Sequence, residues 1–166
     1  MLGIQFGDGV FTMKLTKDEK RQLSNLLRNL KNDDKVLEMK QYRQHGKIST
    51  YDHVTDVTRL SFLLNKRLGL GADEKTLTMG AFLHDFYLYD WHIPGMVPTK
   101  RLHGFSHAET ARKNAVKHFN INKNVQNVIE GHMWPLNITM IPKSKEAWIV
   151  CLADKWISAK ETLLCR

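Results

Sequence analysis

Residues 79–92 read MGAFLHDFYLYDWH. Asp73 stands ahead of this stretch as a helix N-cap, and Leu77, Ala81 and His84 fall near one face of the helix that would follow it. The spacing predicts a helix from about Asp73 to Asp85, ending on an adjacent imidazole and carboxylate, His84 and Asp85. A His–Asp dipeptide carries little weight alone. Its meaning depends on what the rest of the chain sets around it.

On either side the pattern is helical. Thr16 and Glu19 form a T-x-x-E capping box, with Leu23, Leu26, Leu27 and Leu30 following at helical spacing. A second helix is expected from Asp34 to about Gln44, stopping near Gly46. A third, from about Thr50 to Arg67, carries the stripe Val54, Val57, Leu60, Leu64 and Leu68 and ends at Gly69. Beyond the central stretch, residues 90–104 hold two prolines, two glycines, two histidines and two cations, and are expected to form a long loop over a site. Further helices are expected from Ser106 to Phe119, from about Asn122 to Met133, and from Ser144 to about Leu164. No convincing alternating strand run appears, so the expected class is all-α: one domain over residues 1–166, with N-terminal helices at about 14–45 and a chemical core at about 50–157.

Composition sets the outer bounds. The chain has 166 residues, 42% hydrophobic and 25% charged, which is globular. No apolar run is long enough for a membrane span, and the N-terminus lacks a basic region of the signal-peptide kind, so a cytoplasmic protein without membrane contact is expected. Cys151 and Cys165 follow no disulfide or metal spacing and are read as free thiols, Cys151 packed within a helix. The net charge of +8 favours an anionic partner. Both signs are mixed along the helices, and no nucleic-acid signature appears, which favours a phosphorylated small molecule over nucleic acid.

Within this frame the imidazoles and carboxylates are distributed one or two per helix. His53 lies in the third helix, His84 and Asp85 end the fourth, His107 starts the fifth, His132 ends the sixth, and Asp154 sits in an apolar run of the last. Helices packed round one core can aim such side chains at one point. Imidazole and carboxylate together suit Fe, Mn, Co, Ni or Zn. Asp154, between Ala153 and Trp156 in a run of apolar neighbours, would be buried and in need of a partner.

The pieces TYDHV, AFLHDF, FSHAETA, EGHMW and LADKW, in that order, resemble the HD superfamily of metal-dependent phosphohydrolases over about residues 50–157. The stretches HDFYLYDWH, LHGFSHA and HMWPL resemble, more narrowly, a group of small bacterial HD proteins. The resemblance implies an all-α HD fold in which His53, His84, Asp85 and Asp154 hold a first divalent metal. It implies that His107 and His132 add a second, with Asp85 bridging. His103 competes with His107 for that position; Ala108 and Ala111 after His107 resemble the family's helix start and favour it. The lysine that many members carry just after the HD pair is absent, since Phe86, Tyr87, Leu88 and Tyr89 follow; Lys155, Lys100 or Arg101 are its candidate replacements.

The expected activity is hydrolysis of a phosphoester or phosphoanhydride, in particular of a nucleotide, by a metal-activated hydroxide. Asp85, Lys155, His103 and His92 are the catalytic candidates, with Lys155, Arg101 or His103 expected to add positive charge in the transition state and His92, His103 or water to protonate the leaving group. Lys100, Arg101, Trp91 and Trp134 are the substrate-binding candidates. Asp90 pairs with His92 as a loop anchor or chemical pair, Asp56 is a candidate partner for the His53 ring, and His45 and His118 are assigned to the surface. Two metals about 3.5 to 4 Å apart are expected, because a tight turn at 120–122 would set the fifth and sixth helices antiparallel and bring His107 and His132 to the same end. The rivals are a di-iron oxygenase of the same superfamily and a non-catalytic nucleotide-sensing module.

Overall fold

The structure, a computed structural model, describes residues 4–6, 9–11, 14–98 and 103–164. Lys100, Arg101 and Cys165 lie outside the described residues. The architecture is all-α. After a hairpin of β1 (Ile4–Phe6) and β2 (Gly9–Phe11), the helices are α1 (Lys17–Leu26), α2 (Arg28–Lys31), α3 (Asp34–Leu37), α4 (Thr50–Leu68), α5 (Glu74–Leu83), α6 (His103–Phe119), α7 (Lys123–Gly131) and α8 (Lys145–Leu164). No helix among the described residues is long and apolar enough to cross a membrane.

Local chemistry explains most boundaries. Thr16 and Glu19 close both halves of the capping box on α1, and Glu19 also receives Arg67 Nη2 at 2.8 Å, tying α1 to the end of α4. Ser49 caps α4 through Asp52 N, and Gly69, at φ 58°, ends it in the left-handed conformation glycine adopts without penalty. Asp73 caps α5 and Asn122 caps α7.

Two boundaries differ from the sequence reading. The expected helix 34–44 breaks after α3 into a 3₁₀ turn (Glu38–Gln41) and then a second hairpin, β3 (Arg43–His45) and β4 (Ile48–Ser49). Gly46, at φ 56°, is the hairpin turn and not a helix stop. Thr50 N donates to Tyr42 O at 2.8 Å and closes the hairpin's base. The second difference is that α6 includes His103, three residues earlier than a start at Ser106. Ser106 is an interior residue whose carbonyl accepts from Thr110 Oγ1.

Helices α4, α5, α7 and α8 pack together, with α6 against α7. One apolar cluster joins Leu23, Leu27, Val54, Phe62, Phe82 and Ile129; a second joins Val57, Leu77, Ala81, Val128, Val150 and Ala153. α5 approaches α7 closely at Gly80, where a Cβ would stand 2.5 Å from Val128 Cγ1. This close approach brings the ends of α5 and α7, and the polar residues they carry, to one place.

Candidate metal centre

Five helices deliver six polar side chains to a shared interior point. His53 comes from α4, His107 from α6 and Asp154 from α8; His84 and His132 are the C-caps of α5 and α7, and Asp85 follows His84. All six are buried. Asp85 stands in the middle. Its Oδ2 faces His84 Nε2 at 3.5 Å and His53 Nε2 at 3.8 Å, while its Oδ1 faces His107 Nε2 at 3.3 Å and His132 Nε2 at 3.6 Å. Asp154 Oδ1 closes the first side, 3.2 Å from His53 Nε2 and 3.8 Å from His84 Nε2. The two oxygens of one carboxylate thus face different imidazoles, and the sets meet where the His84 and His132 rings stand 4.7 Å apart.

The histidines are oriented from behind. His84 Nδ1 donates to Ala81 O at 2.7 Å, His132 Nδ1 to Ile129 O at 2.6 Å and His107 Nδ1 to His103 O at 3.0 Å. His53 Nδ1 meets Glu161 Oε2 at 3.0 Å, inside the protein. A carbonyl or carboxylate oxygen can only accept, so each Nδ1 carries a proton and each Nε2 is the atom left for the shared space. His53 Nε2, His84 Nε2 and Asp85 Oδ1 are buried without a hydrogen-bond partner. His107 Nε2 and His132 Nε2 face each other at 2.9 Å, a contact between two lone pairs unless a cation or proton lies with them. Orphaned acceptors of this kind cost free energy when buried. Divalent cations would satisfy all of them, so the donor set fits metal ions; two groups with metal-holding geometry are His53–His84–Asp154 and His84–Asp85–His132.

Electrostatics agree with that fit. Burial opposes ionisation of Asp85, but the surrounding histidines hold its carboxyl well below the usual carboxylate range. Asp154 is likewise depressed against its burial, by His53 first. Burial keeps His84 low and pushes His132 down to about 3, so both are neutral and able to ligate. Burial also works against a charge on His53, yet its contacts with Asp154 and Glu161 raise it to about 10. The carboxylates thus call for positive charge at this point, which a bound cation would supply.

A layer of polar side chains fixes Asp85. Gln44 Nε2 donates to Asp85 Oδ2 at 2.7 Å, and the Gln44 carbonyl accepts from Tyr87 Oη at 2.6 Å and Thr50 Oγ1 at 3.3 Å. A cavity of about 690 Å³ opens beside the cluster, large enough for a small organic substrate. Asp85, His107, His132 and Asp154 line its floor, and Trp91, Val97, Met133 and Leu136 line its walls. Lys155 also lines it, with Nζ donating to His132 O at 2.8 Å and to Asp154 Oδ2 at 2.9 Å.

The loop after α5 borders this cavity through Trp91 and Val97. Trp91 stacks on His92 with centroids 3.8 Å apart and on His103 at 4.9 Å, and His103 stacks on His107 at 4.6 Å. His107, not His103, therefore reaches Asp85; His103 stands behind it with Nδ1 against Tyr89 Oη at 3.0 Å. His92 is exposed and anchored by Asp90 Oδ1 at 3.0 Å. Trp134 packs edge-on against Trp148 at 5.1 Å and is not among the residues lining the cavity.

Three assignments change. The partner of His53 is Glu161, not Asp56, which faces Arg59. His45 is half-buried and lines the cavity, because the β3–β4 hairpin turns it inward; His118 is exposed as expected. His103 is held neutral, pushed down to about 3 by burial, so it is no fixed cation. Gln44 and Glu161 escaped the sequence reading. Glu161 had a signal: it follows Asp154 by two helical turns, on the same face of an apolar helix. Gln44 had none, since its placement depends on the hairpin. Cys151 is buried with a free thiol, as expected.

Comparison with curated proteins and with solved structures gives no match. A family model described as the HD domain matches residues 50–157, the span from the first turn of α4 to the middle of α8 that carries all six side chains. A buried His/Asp cluster on an all-helical frame and a family match over most of the chain agree: this protein belongs to the HD domain family, within the superfamily of metal-dependent phosphohydrolases.

Proposed function

We propose that the chain hydrolyses a phosphoester or phosphoanhydride of a small molecule, a nucleotide being the leading class, with two divalent transition-metal ions. The reading rests on one observation: the Nε2 atoms of four histidines, each locked at Nδ1, face the two oxygens of one buried carboxylate, and those of His53 and His84 have no hydrogen-bond partner. His53, His84, Asp85 and Asp154 would hold the first ion, and His107 and His132, with Asp85 between, the second. Such ions, when bound, neutralise phosphoryl oxygens and make a water nucleophilic near neutral pH.

The chain's own groups do the rest. Gln44 fixes the plane of the Asp85 carboxylate. Lys155, on the cavity wall, adds positive charge where the phosphoryl group gathers negative charge. His103, neutral and bonded to Tyr89, offers at most a hydrogen bond to the leaving group, whose proton then comes from water. Trp91, Val97 and Leu136 wall the site and limit water around it.

The test is phosphate release by stripped protein reloaded with Mn, Co, Ni or Fe(II), across nucleotides and simple phosphoesters. Metal-dependent release that disappears in Asp85→Ala supports the reading. Iron-specific turnover that consumes O₂ without releasing phosphate points to the oxygenase instead. Tight nucleotide binding without turnover in any metal points to a sensing module.

A further inference from the structure

The β3–β4 hairpin lies ahead of the HD domain span, residues 50–157, yet two of its residues reach the metal centre. In a regular strand, successive side chains point to opposite faces. Strand β3 breaks that alternation. Arg43 pairs with Ser49 and His45 with Ile48, so β3 holds one residue between the two pairs where β4 holds none. An extra residue of this kind bends a strand and re-aims its side chains. Arg43 accordingly stays exposed, while its two successors, Gln44 and His45, both line the cavity beside the His/Asp cluster.

The two neighbours are engaged differently. The Gln44 amide donates to Asp85 Oδ2 at 2.7 Å and its carbonyl accepts from Tyr87 Oη at 2.6 Å. His45 stands edge-on to the His53 ring, with centroids 6.1 Å apart, and makes no hydrogen bond among the described residues. Its backbone is nonetheless fixed. Gln44 ties the strand to Asp85, and Thr50 N closes the hairpin on Tyr42 O at 2.8 Å. An imidazole carries at least one N–H, so a donor is held at the cavity wall with nothing to receive it.

Its place relative to the metal ligands is specific. Ring contacts run from His103 to His107 at 4.6 Å, to His132 at 5.1 Å, to His84 at 4.7 Å, to His53 at 5.4 Å and to His45. The four inner rings turn Nε2 toward Asp85. Of the two end rings, His103 is bonded to Tyr89 and His45 is not bonded. Lys155 spends two of its three Nζ hydrogens on His132 O and Asp154 Oδ2. A phosphoryl group over the cluster therefore finds few uncommitted donors, and His45 is one of them.

We propose that His45 is a substrate-contacting residue of this site, donating its ring N–H to an oxygen of the bound phosphoryl group at the His53 end of the cluster. What is bound there rests on the phosphohydrolase reading; the placement and free donor of His45 do not. Calorimetry of inorganic phosphate binding to the Mn²⁺-loaded full chain tests it, beside kinetics on the phosphoester turned over fastest. His45→Phe keeps a flat ring and removes the N–H, and His45→Gln keeps an N–H. A hydrogen bond to a charged acceptor predicts that His45→Phe binds phosphate about 10- to 100-fold more weakly and loses kcat/KM by a similar factor. His45→Gln recovers part of both, and all three chains hold the same Mn²⁺ and the same helix content. Phosphate bound as tightly by His45→Phe as by wild type overturns the proposal. So does a loss that follows lost Mn²⁺, a His45→Gln chain no better than His45→Phe, or a wild-type chain that binds no phosphate in the millimolar range. A wild-type chain that hydrolyses no phosphoester counts against the hydrolase reading alone, and the phosphate comparison still decides the role of His45.

Discussion

The Nδ1 proton of His53 goes to Glu161, and that bond leaves Nε2 free to face Asp154 and Asp85. A carboxylate behind a ligating imidazole fixes its tautomer and raises its basicity. Glu161→Gln is therefore expected to weaken metal binding by about 10- to 100-fold, read by chelator competition, with helix content unchanged. His84→Ala and Asp85→Ala remove atoms that face the shared space directly; both should lose bound metal and hydrolysis, and full metal content in either would count against the site. The six converging residues were legible in the sequence because they fall one or two per helix on five successive helices in an order that resembles the HD pattern; only Asp154, in its apolar run, carried a burial signal of its own. The residues that orient them were not. Glu161 and His53 lie 108 positions apart, and pairing at that range is set by packing that no local pattern records.

At the level of elements, the approach of α5 to α7 decides whether His84 and His132 meet. Gly80→Ala puts a methyl 2.7 Å from Val128 Cβ, a contact between two backbone-anchored atoms that must be relieved by separating the helices. The expected cost is about 1–3 kcal/mol, seen as a lower melting temperature, together with weaker metal binding. The contact of α1 with α4 carries a pH signature. The Arg67 hydrogen bond, helped by the backbone of Thr16, lowers Glu19 from 4.5 to about 2. A depressed carboxylate contributes stability that is fully present above 4.5 and is lost as pH falls toward 2. Thermal melts of wild type and Glu19→Gln should therefore differ at pH 7, draw together below 4.5 and converge only near pH 2; a gap that stays constant would show that the pair does not act this way. Helices with side-chain caps were read closely from the sequence, since Thr16, Asp73 and Asn122 act through neighbours three residues away. The β3–β4 hairpin was missed because Gly46 serves a helix stop and a tight turn equally well, and only the fold around Gln44 chooses between them.

For the whole molecule, a cavity and the His/Asp cluster share one floor, and among the described residues of this basic chain Lys155 is the lysine that lines that cavity. Helix α8 links the levels: it supplies Asp154 and Glu161 on its inner side, Lys155 at the cavity, and an exposed apolar stripe on its outer side. Asp85 turns its two oxygens to different imidazoles, an arrangement suited to two ions per chain, a stoichiometry that catalysis alone would not reveal. The most direct measurement is elemental analysis of the stripped chain reloaded with Mn²⁺ and freed of excess ion. Two ions per wild-type chain are predicted, falling to one in His132→Ala with most of the hydrolytic rate lost. A wild-type chain that retains no ion, or a His132→Ala chain that retains as many as wild type, would contradict the account.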